Sequence, residues 1–533
     1  LLIDARSVDG GSAFECDLCV VGSGPAGIAI ADRLRDSGLN LMLLEAGGQD
    51  YELPAQKLYR GQIVGRPYYR LDACRWRMFG GGTNRWGGWC RPLDRADYAE
   101  RAWLALSGWP ISAESLQVYE EAAATLFELP SPRFDLDAWR DRMPSPLALD
   151  GTNFENGLIQ HSPETNFADR YGPRLIAAPN IRVMLHANVT ELKLDADSRC
   201  VREVTVATLT GRRIAVRAKA VVLAAGGIEN ARLLLASRGD RAAGVGNEFD
   251  MVGRCFMEHL HVHMGHLIAA TGTPDRGFYR KETYGAARLR GVVMPTAAAQ
   301  EHHHLLSTSI AIEGPSYSQG TAYLGWPPAV MFAPVRVYRA FRGRGLTRVS
   351  DKLKYFSHAA HSVPNRLRTW WEARRALSDA AISGPGLAYS LHFRAEQAPD
   401  PANRVVLGEQ RDALGMPQSR LEWQISPFDA RSITEWLALL RQDVKARGIG
   451  EVIPPPDNWQ DRVIGGPHHM GTTRMSADPR RGVVDADCRV HSVDNLYIAG
   501  SSVFATSGHA NPTFTLVALA LRLADTLRKR LAA

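Results

Sequence analysis

The feature that most constrains this chain is the hexapeptide Gly22-Ser23-Gly24-Pro25-Ala26-Gly27, read with its flanks. Residues 17–21 before it are a largely apolar run with β-branched content, the pattern of a buried strand. Residues 28–36 after it carry apolar side chains at helical spacing, closed by Gly38. Residues 39–44 form a second apolar run that ends at Glu45. Strand, glycine turn, helix, strand and acid together predict a dinucleotide site. Gly22 permits the tight turn, Gly24 lets the backbone approach a pyrophosphate, and Gly27 lets the helix pack closely on the strand. The helix N-terminus turns N–H groups and the positive end of its dipole to the phosphates. Glu45 is placed to accept hydrogen bonds from the adenosine ribose hydroxyls. The fingerprint alone does not decide between a flavin and a nicotinamide.

Two later segments extend the pattern. Residues 220–227 read Ala-Val-Val-Leu-Ala-Ala-Gly-Gly and precede helix-forming residues 229–235, and residues 495–501 read Asn-Leu-Tyr-Ile-Ala-Gly-Ser. Small residues at a strand end let backbone pack against a cofactor. Three such strands, spread over 533 residues, fit a fold wrapped around one long buried dinucleotide; three ordinary parallel strands are the plain alternative. A single core stops growing at roughly 250–300 residues, so two domains or one composite unit are expected.

Composition excludes other classes. Hydrophobic residues are 45% and charged residues 22%, ordinary for a globular protein. A net charge of +7, without zinc-finger spacing, single-stranded-RNA module or heptads, predicts no nucleic-acid partner. No run approaches the ~18 apolar residues of a spanning helix. The opening Leu1-Leu2-Ile3-Asp4 lacks the basic start, apolar core and cleavage site of a secretory signal. A cytoplasmic protein is expected, and a start other than Met leaves processing open. Seven scattered cysteines suit a reducing compartment. Cys16 and Cys19 spell C-x-x-C but run into an apolar strand rather than opening a helix, so they read as buried strand cysteines rather than a redox pair. His302, His303 and His304 are consecutive, so their side chains diverge and no metal is expected.

With these motifs in order, the sequence resembles the glucose–methanol–choline (GMC) oxidoreductase family of flavoproteins. The resemblance rests on the N-terminal fingerprint and on Gly80-Gly81-Gly82-Thr83-Asn84-Arg85-Trp86-Gly87-Gly88. It continues through His468-His469-Met470-Gly471-Thr472, Gly500-Ser501-Ser502-Val503-Phe504 and His509-Ala510-Asn511-Pro512-Thr513. It implies an α/β chain, α+β overall: a Rossmann-like FAD-binding domain with a substrate domain built on a large antiparallel sheet and flanking helices. The expected FAD pieces are residues 1–99, 167–259 and 465–533, and the substrate pieces 100–166 and 260–464. The resemblance implies cofactor contacts at Gly22, Gly24, Gly27, Glu45, Gly82, Thr83, Asn84, Gly88, Val189, Ala225, Gly500, Ser501, Asn511, Pro512 and Thr513. Some relatives attach the flavin through a histidine near residues 84–86, where this chain has Asn-Arg-Trp. Non-covalent FAD is therefore expected.

Alcohol oxidation by a flavin needs an acceptor for the hydroxyl proton and a group that aims the C–H at the ring. A neutral imidazole suits the first task, and a polar partner the second. His509 and Asn511 are two residues apart, which in an extended segment puts both on one face, and Pro512 biases Asn511 toward extended backbone. By resemblance His509 is the base, Asn511 its orienting partner, and hydride passes to flavin N5. Beyond them, residues 513–527 have helical spacing and would direct a helix N-terminus at the flavin. His259 and His468 read as structural or supporting residues. Glu396 and Gln397 read either as substrate contacts or as a turn with a solvated acid.

Residues 336–375 hold eleven Arg or Lys against Asp351 and Glu372, interleaved with aromatic side chains. A solvated helical hairpin or a lid is the favoured reading; an amphipathic membrane contact serving a quinone is the other. The substrate expected by analogy is a sugar, aminosugar or cyclitol-like alcohol. The electron acceptor stays open among oxygen, quinone and a carrier protein. A non-redox FAD lyase and a quinone-linked, membrane-associated dehydrogenase are the alternatives.

Overall fold

A computed structural model describes residues 1–270, 276–313 and 387–532. The basic segment 336–375 lies outside the described residues. Among the described residues an eight-stranded sheet carries the glycine fingerprint. Its order is Leu2–Asp4, Ile181–Leu185, Leu41–Leu44, Ala13–Val21, Arg213–Leu223, Val201–Ala207 and Asn188–Leu194, and Leu496–Ile498 also pairs with Arg213–Leu223. The strands are parallel from Leu2–Asp4 to Arg213–Leu223 and in the Leu496–Ile498 pairing. Two antiparallel strands complete the far side.

The central strands are buried on both faces: Leu18, Cys19, Val20, Leu41, Met42 and Leu43 are fully covered. A continuous apolar run of this kind needs helices on the sheet. Helix Pro25–Arg33 packs beside Thr513–Ala532 and Phe167–Ala177, and Ala113–Leu126 packs on Thr513–Ala532. The first helix starts at Pro25 rather than at the expected residue 28. Proline at the first helical position has no N–H to leave unpaired and a φ already set for helix. Cys16 and Cys19 lie in Ala13–Val21 as free thiols, and burial raises both, Cys16 to about 11. Such thiols are poor nucleophiles, in line with a structural role.

The second large sheet has nine strands among the described residues, and all its pairings are antiparallel. Its centre runs Gly450–Ile453, Leu260–Ala269, Leu387–Ala395, Thr308–Glu313, Ala287–Pro295, Phe154–His161 and Trp89–Cys90. Arg404–Arg411, Pro417–Trp423 and Gly61–Gly65 form a small third sheet. The N-terminal hundred residues thus contribute strands to all three sheets. One hydrophobic core joins the two large sheets. No helix among the described residues is long and apolar enough to cross a membrane.

Candidate active site

Val21, Leu223 and Ile498 are register neighbours in the parallel sheet. The turns at Gly22, Ala225–Gly226 and Gly500 therefore open at one edge, beyond the C-terminal ends of the strands, where open α/β sheets bind ligands. Two glycines there are fixed by packing. A Cβ at Gly27 would lie 1.9 Å from the Gly22 carbonyl oxygen, and one at Gly22, where φ is +106°, would lie 2.5 Å from the Ala224 carbonyl oxygen. Gly24, Gly82, Gly226 and Gly500 instead face open space, with nothing within 4 Å of a Cβ. A Cβ at Gly81 would meet the Gly24 Cα at 2.9 Å, so the second glycine loop lies against the first. No side chain caps the Pro25–Arg33 helix at Gly24. Bare backbone around open space, with a helix N-terminus aimed into it, fits a pyrophosphate and a flat ring system.

The remaining expected contacts shape this edge. Glu45, 5% exposed, accepts from the Ser23 hydroxyl at 2.5 Å, the Ser23 N–H at 3.2 Å and the Gly47 N–H at 2.8 Å. Ala187 donates to the Glu45 carbonyl at 2.8 Å, which brings the strand bearing Val189 beside it. Thr83 donates to the Gly80 carbonyl and accepts from Phe167 N–H. Asn84 donates to the carbonyls of Phe79 and Gly81 and accepts from Asn166. These two side chains hold the loop's shape, so its backbone is what faces the open space. Gly88, at φ +70°, packs on the Ser162 carbonyl. Ala225 N–H is held by Asn230 at 2.9 Å, and Ser501 donates to the His469 carbonyl at 2.7 Å. The Pro512 carbonyl accepts from Leu516, and the helix starts at Thr513.

His509 is 3% exposed. Its Nδ1 lies 2.9 Å from the Ser307 hydroxyl and 3.6 Å from Asp94 Oδ2. Its Nε2 is buried and has no protein partner among the described residues. Burial lowers the imidazole to about 4, against the raising effects of Asp94 and Glu396. The ring is thus neutral near pH 7, with a carboxylate on its Nδ1 side to favour the proton there and leave the lone pair on Nε2. The backbone bends at His509 and Ala510 and pairs with no strand, a departure from the expected extended segment. The cause is Gly508, at φ +52°, packed so that a Cβ would lie 2.5 Å from Asp97 Oδ2. Thr506 fixes the same loop, donating to the Asp97 carbonyl at 2.7 Å and accepting from Trp109 Nε1 at 2.8 Å.

Asn511 is fixed through two histidines. The Ser507 carbonyl can only accept, so His259 donates Nε2–H to it across 3.3 Å. His259 Nδ1 then accepts from His468 Nδ1–H at 2.9 Å. That leaves His468 Nε2 to accept from Asn511 Nδ2 at 3.3 Å. Burial holds both rings below the usual histidine range, His259 at about 4, so one proton per ring satisfies the whole chain. Glu258, fully buried, accepts from the Tyr68 hydroxyl and the N–H groups of Gly466 and His468. Burial pushes its carboxyl up to about 7.

Glu396 and Gln397 have no exposed surface. Arg101 grips Glu396 through both guanidinium ends at 2.8 and 2.5 Å, and Ser307 N–H adds a third bond at 2.9 Å. Gln397 accepts from Glu258 N–H and Trp423 Nε1 and donates to the Gln424 carbonyl. Both side chains are fully engaged by protein partners. Both brace the walls of the site, and the solvated-acid reading of Glu396 is replaced by a buried ion pair. Sequence reading missed Ser307, Asp94, Arg101 and Tyr68, which share no motif, and gave Glu258 no role of its own. Among the described residues no group of three or more His, Cys, Asp or Glu is arranged to hold a metal ion.

Residues 17–302 match the FAD dependent oxidoreductase family, and residues 399–520 match the GMC oxidoreductase family. The chain is 24% identical to a 2-methyl-1,2-propanediol dehydrogenase of Mycolicibacterium austroafricanum, over 97% of this chain and 96% of that protein. It is 25% identical to a 6'''-hydroxyparomomycin C oxidase of Streptomyces lividus, over 97% and 92%. Its fold is similar to that of the crystal structure of pyridoxine 4-oxidase from Mesorbium loti, with a TM-score of 0.53 at 17% identity, covering 96% of this chain and 99% of that one.

Proposed function

As a member of the GMC oxidoreductases this chain is an FAD-dependent enzyme that oxidises alcohols, and we propose that it acts on a sugar-, aminosugar- or cyclitol-like alcohol with His509 as proton acceptor. The observation that carries this reading is the buried His509 Nε2 without a protein partner, on a ring held at Nδ1 by Ser307 and Asp94. The substrate class is suggested by the 6'''-hydroxyparomomycin C oxidase and the 2-methyl-1,2-propanediol dehydrogenase that the chain resembles over nearly its full length.

Bound FAD supplies the hydride acceptor. The backbone at Gly24, Gly82, Gly226 and Gly500 would hold it without a covalent link, in turns that the packing of Gly22 and Gly27 fixes, with Glu45 at the strand end. His509 takes the hydroxyl proton on Nε2. Asp94 stabilises the imidazolium that forms, as an opposite charge within a few ångströms does. Asn511, its amide rotation set by His468, holds the alcohol oxygen so that the C–H is aimed rather than free to turn. Arg101, Glu396 and Ser307 keep the imidazole in place.

The test is anaerobic mixing of the FAD-loaded enzyme with a panel of sugars, aminosugars, cyclitols and short diols, following flavin bleaching. Reduction by at least one polyol sustains the reading; an oxidised spectrum that survives every alcohol of the panel overturns it. Acid precipitation that leaves the flavin in the pellet would refute non-covalent attachment.

A further inference from the structure

Beyond the residues that handle the reacting carbon, one face of the antiparallel sheet carries more positive than negative charge among the described residues. Strand Leu387–Ala395 lies between Leu260–Ala269 and Thr308–Glu313, with Arg394 opposite His261 on one side and Ser309 on the other. The His261 ring is 5.9 Å from the ring of His468, which in turn holds Asn511. Arg394 thus stands beside the residues that fix Asn511. Its guanidinium lies over the Trp89 ring, 3.6 Å from the centroid, and Arg290 approaches the same ring at 5.3 Å. Trp89 directly follows Gly88 of the second glycine segment, so the two arginines and the tryptophan border that segment.

The charges in this region do not balance. Glu313 is the acid nearest to them in the sheet. It already accepts from Arg290 Nη2 at 3.0 Å and has His392 Nε2 within 3.4 Å. Among the described residues Arg394 makes no ion pair, and its guanidinium rests on the tryptophan face. Two guanidinium groups therefore share one carboxylate, and burial holds His392 below the usual histidine range. Burial draws Arg394 down to about 10, with Arg290 adding repulsion and Glu313 opposing both in part. A partly buried cation that shares its only nearby carboxylate with a second guanidinium is costly to desolvate, and a tryptophan face offsets only part of that cost.

Unused hydrogen-bonding groups collect at the same place. Arg290 Nε is buried without a partner, and so are both ring nitrogens of His161. His161 is 3% exposed and meets the edge of Trp89 at 5.0 Å. A guanidinium offers a planar fork of donors suited to carboxylate or phosphate. Its unpaired charge, with buried groups of unmet hydrogen-bonding capacity around it, selects for an anion over a hydroxyl.

We propose that Arg394, with Arg290, Trp89 and His161, forms a substrate subsite for an anionic group, so that the alcohol oxidised is a polyol bearing a carboxylate or a phosphate. This rests on the reading of the chain as a polyol oxidoreductase, and it names the class of polyol.

The experiment is isothermal titration of the FAD-loaded enzyme with glucose, glucuronate and glucose 6-phosphate, repeated with Arg394→Gln. At least one charged sugar is expected to bind about tenfold or more tighter than glucose, as a charge-assisted pair allows. That advantage disappears in Arg394→Gln and shrinks as salt is raised. The carboxylate and phosphate arms separate the two sources of negative charge. Acetate and inorganic phosphate, titrated alone, serve as minimal probes whose binding Arg394→Gln abolishes. Thermal unfolding of Arg394→Met without ligand reads the unpaired charge directly, and its midpoint is expected to rise. Equal affinity for glucose and both charged sugars, or an anion preference that survives Arg394→Gln, overturns the subsite. So does failure of all four anions to bind. Binding is read on oxidised enzyme, so the two readings fail separately. Anion binding without flavin reduction by any alcohol sinks the redox reading alone. Flavin reduction without anion preference sinks the subsite alone.

Discussion

The Ser307 hydroxyl lies 2.9 Å from Nδ1 of His509, and its backbone N–H, in turn, is held by Glu396 at 2.9 Å. The imidazole is thus anchored through one residue to the buried Arg101–Glu396 pair, while Nε2 stays clear of protein partners. That arrangement predicts a loss confined to chemistry. His509→Ala should slow flavin reduction by an alcohol by roughly 10²–10⁴-fold, the usual range for a lost general base. The flavin content of the purified variant should equal that of the parent. Stopped-flow reduction at saturating alcohol measures it, and an unchanged rate would remove His509 from the base role.

The same ring sets a pH dependence. Burial lowers it to about 4, and only its neutral form accepts a proton. The rate of reduction at saturating substrate should therefore be flat from neutrality to about pH 5 and decline as the pH falls through about 4. A limb centred near pH 6.5, the ordinary histidine value, would show that burial does not govern this imidazole.

Several buried imidazoles also predict acid sensitivity of the fold. His259 and His509 are held at about 4 and His469 at about 3, each chiefly by burial. Their folded-state values lie below the unfolded value of about 6.5. Between those limits the unfolded chain binds more protons, so stability rises with pH and is lost as pH falls from about 6.5 toward 4. Each ring contributes about 1.4 kcal/mol per pH unit inside that window. Urea midpoints measured from pH 7.5 to 4.5 should fall below about pH 6.5, the three rings outweighing Glu258, whose raised carboxyl works in the opposite direction. A midpoint indifferent to pH over that span would contradict the buried neutral state.

Glycines that look alike in the fingerprint should respond differently. Gly27→Ala forces a Cβ to within 1.9 Å of the Gly22 carbonyl oxygen, and overpacking of this kind costs about 1–3 kcal/mol or more. Gly24→Ala meets no protein atom within 4 Å, and Gly24 φ is −69°, open to alanine. That variant should fold as well as the parent yet lose FAD affinity, because its methyl enters the space the pyrophosphate needs. Thermal denaturation of the apo forms, alongside flavin titration, separates the two outcomes.

Arg101→Met strips the partner from a fully buried carboxylate. Removing one member of such a pair destabilises by about 3–5 kcal/mol. Arg101→Met with Glu396→Gln should recover much of that loss, because no unpaired charge is left. A double variant no more stable than the single one would mean that the pair acts through packing rather than charge.

How far these features could be read from the residues depends on how local they are. The fingerprint was legible because Gly22, Gly24 and Gly27 perform their roles within one turn. The bend at His509 was not, because Pro512 argued locally for extended backbone while the deciding contact is between Gly508 and Asp97, over four hundred residues away in sequence. Glu396 looked like a turn acid, since nothing beside it in sequence shows that Arg101 covers it. His259 and His468 were read as supports, and the structure specifies what they support: the amide of Asn511. Ser307 and Asp94 carry no pattern at all. A lone serine or aspartate gains its meaning only from the tertiary neighbour it meets.

The meeting of Val21, Leu223 and Ile498 on neighbouring strands has a consequence for how the protein comes into being. The cofactor edge is assembled from the first, middle and last parts of the chain, so no nascent or truncated form possesses it. Loop-closure entropy must be overcome over hundreds of residues before the strand ends align. A ligand that binds the finished edge and not the open chain shifts the balance toward the native state by mass action. Flavin supply during synthesis should therefore raise the yield of folded protein, and the yellow colour of a preparation reports completed folding as much as loaded cofactor.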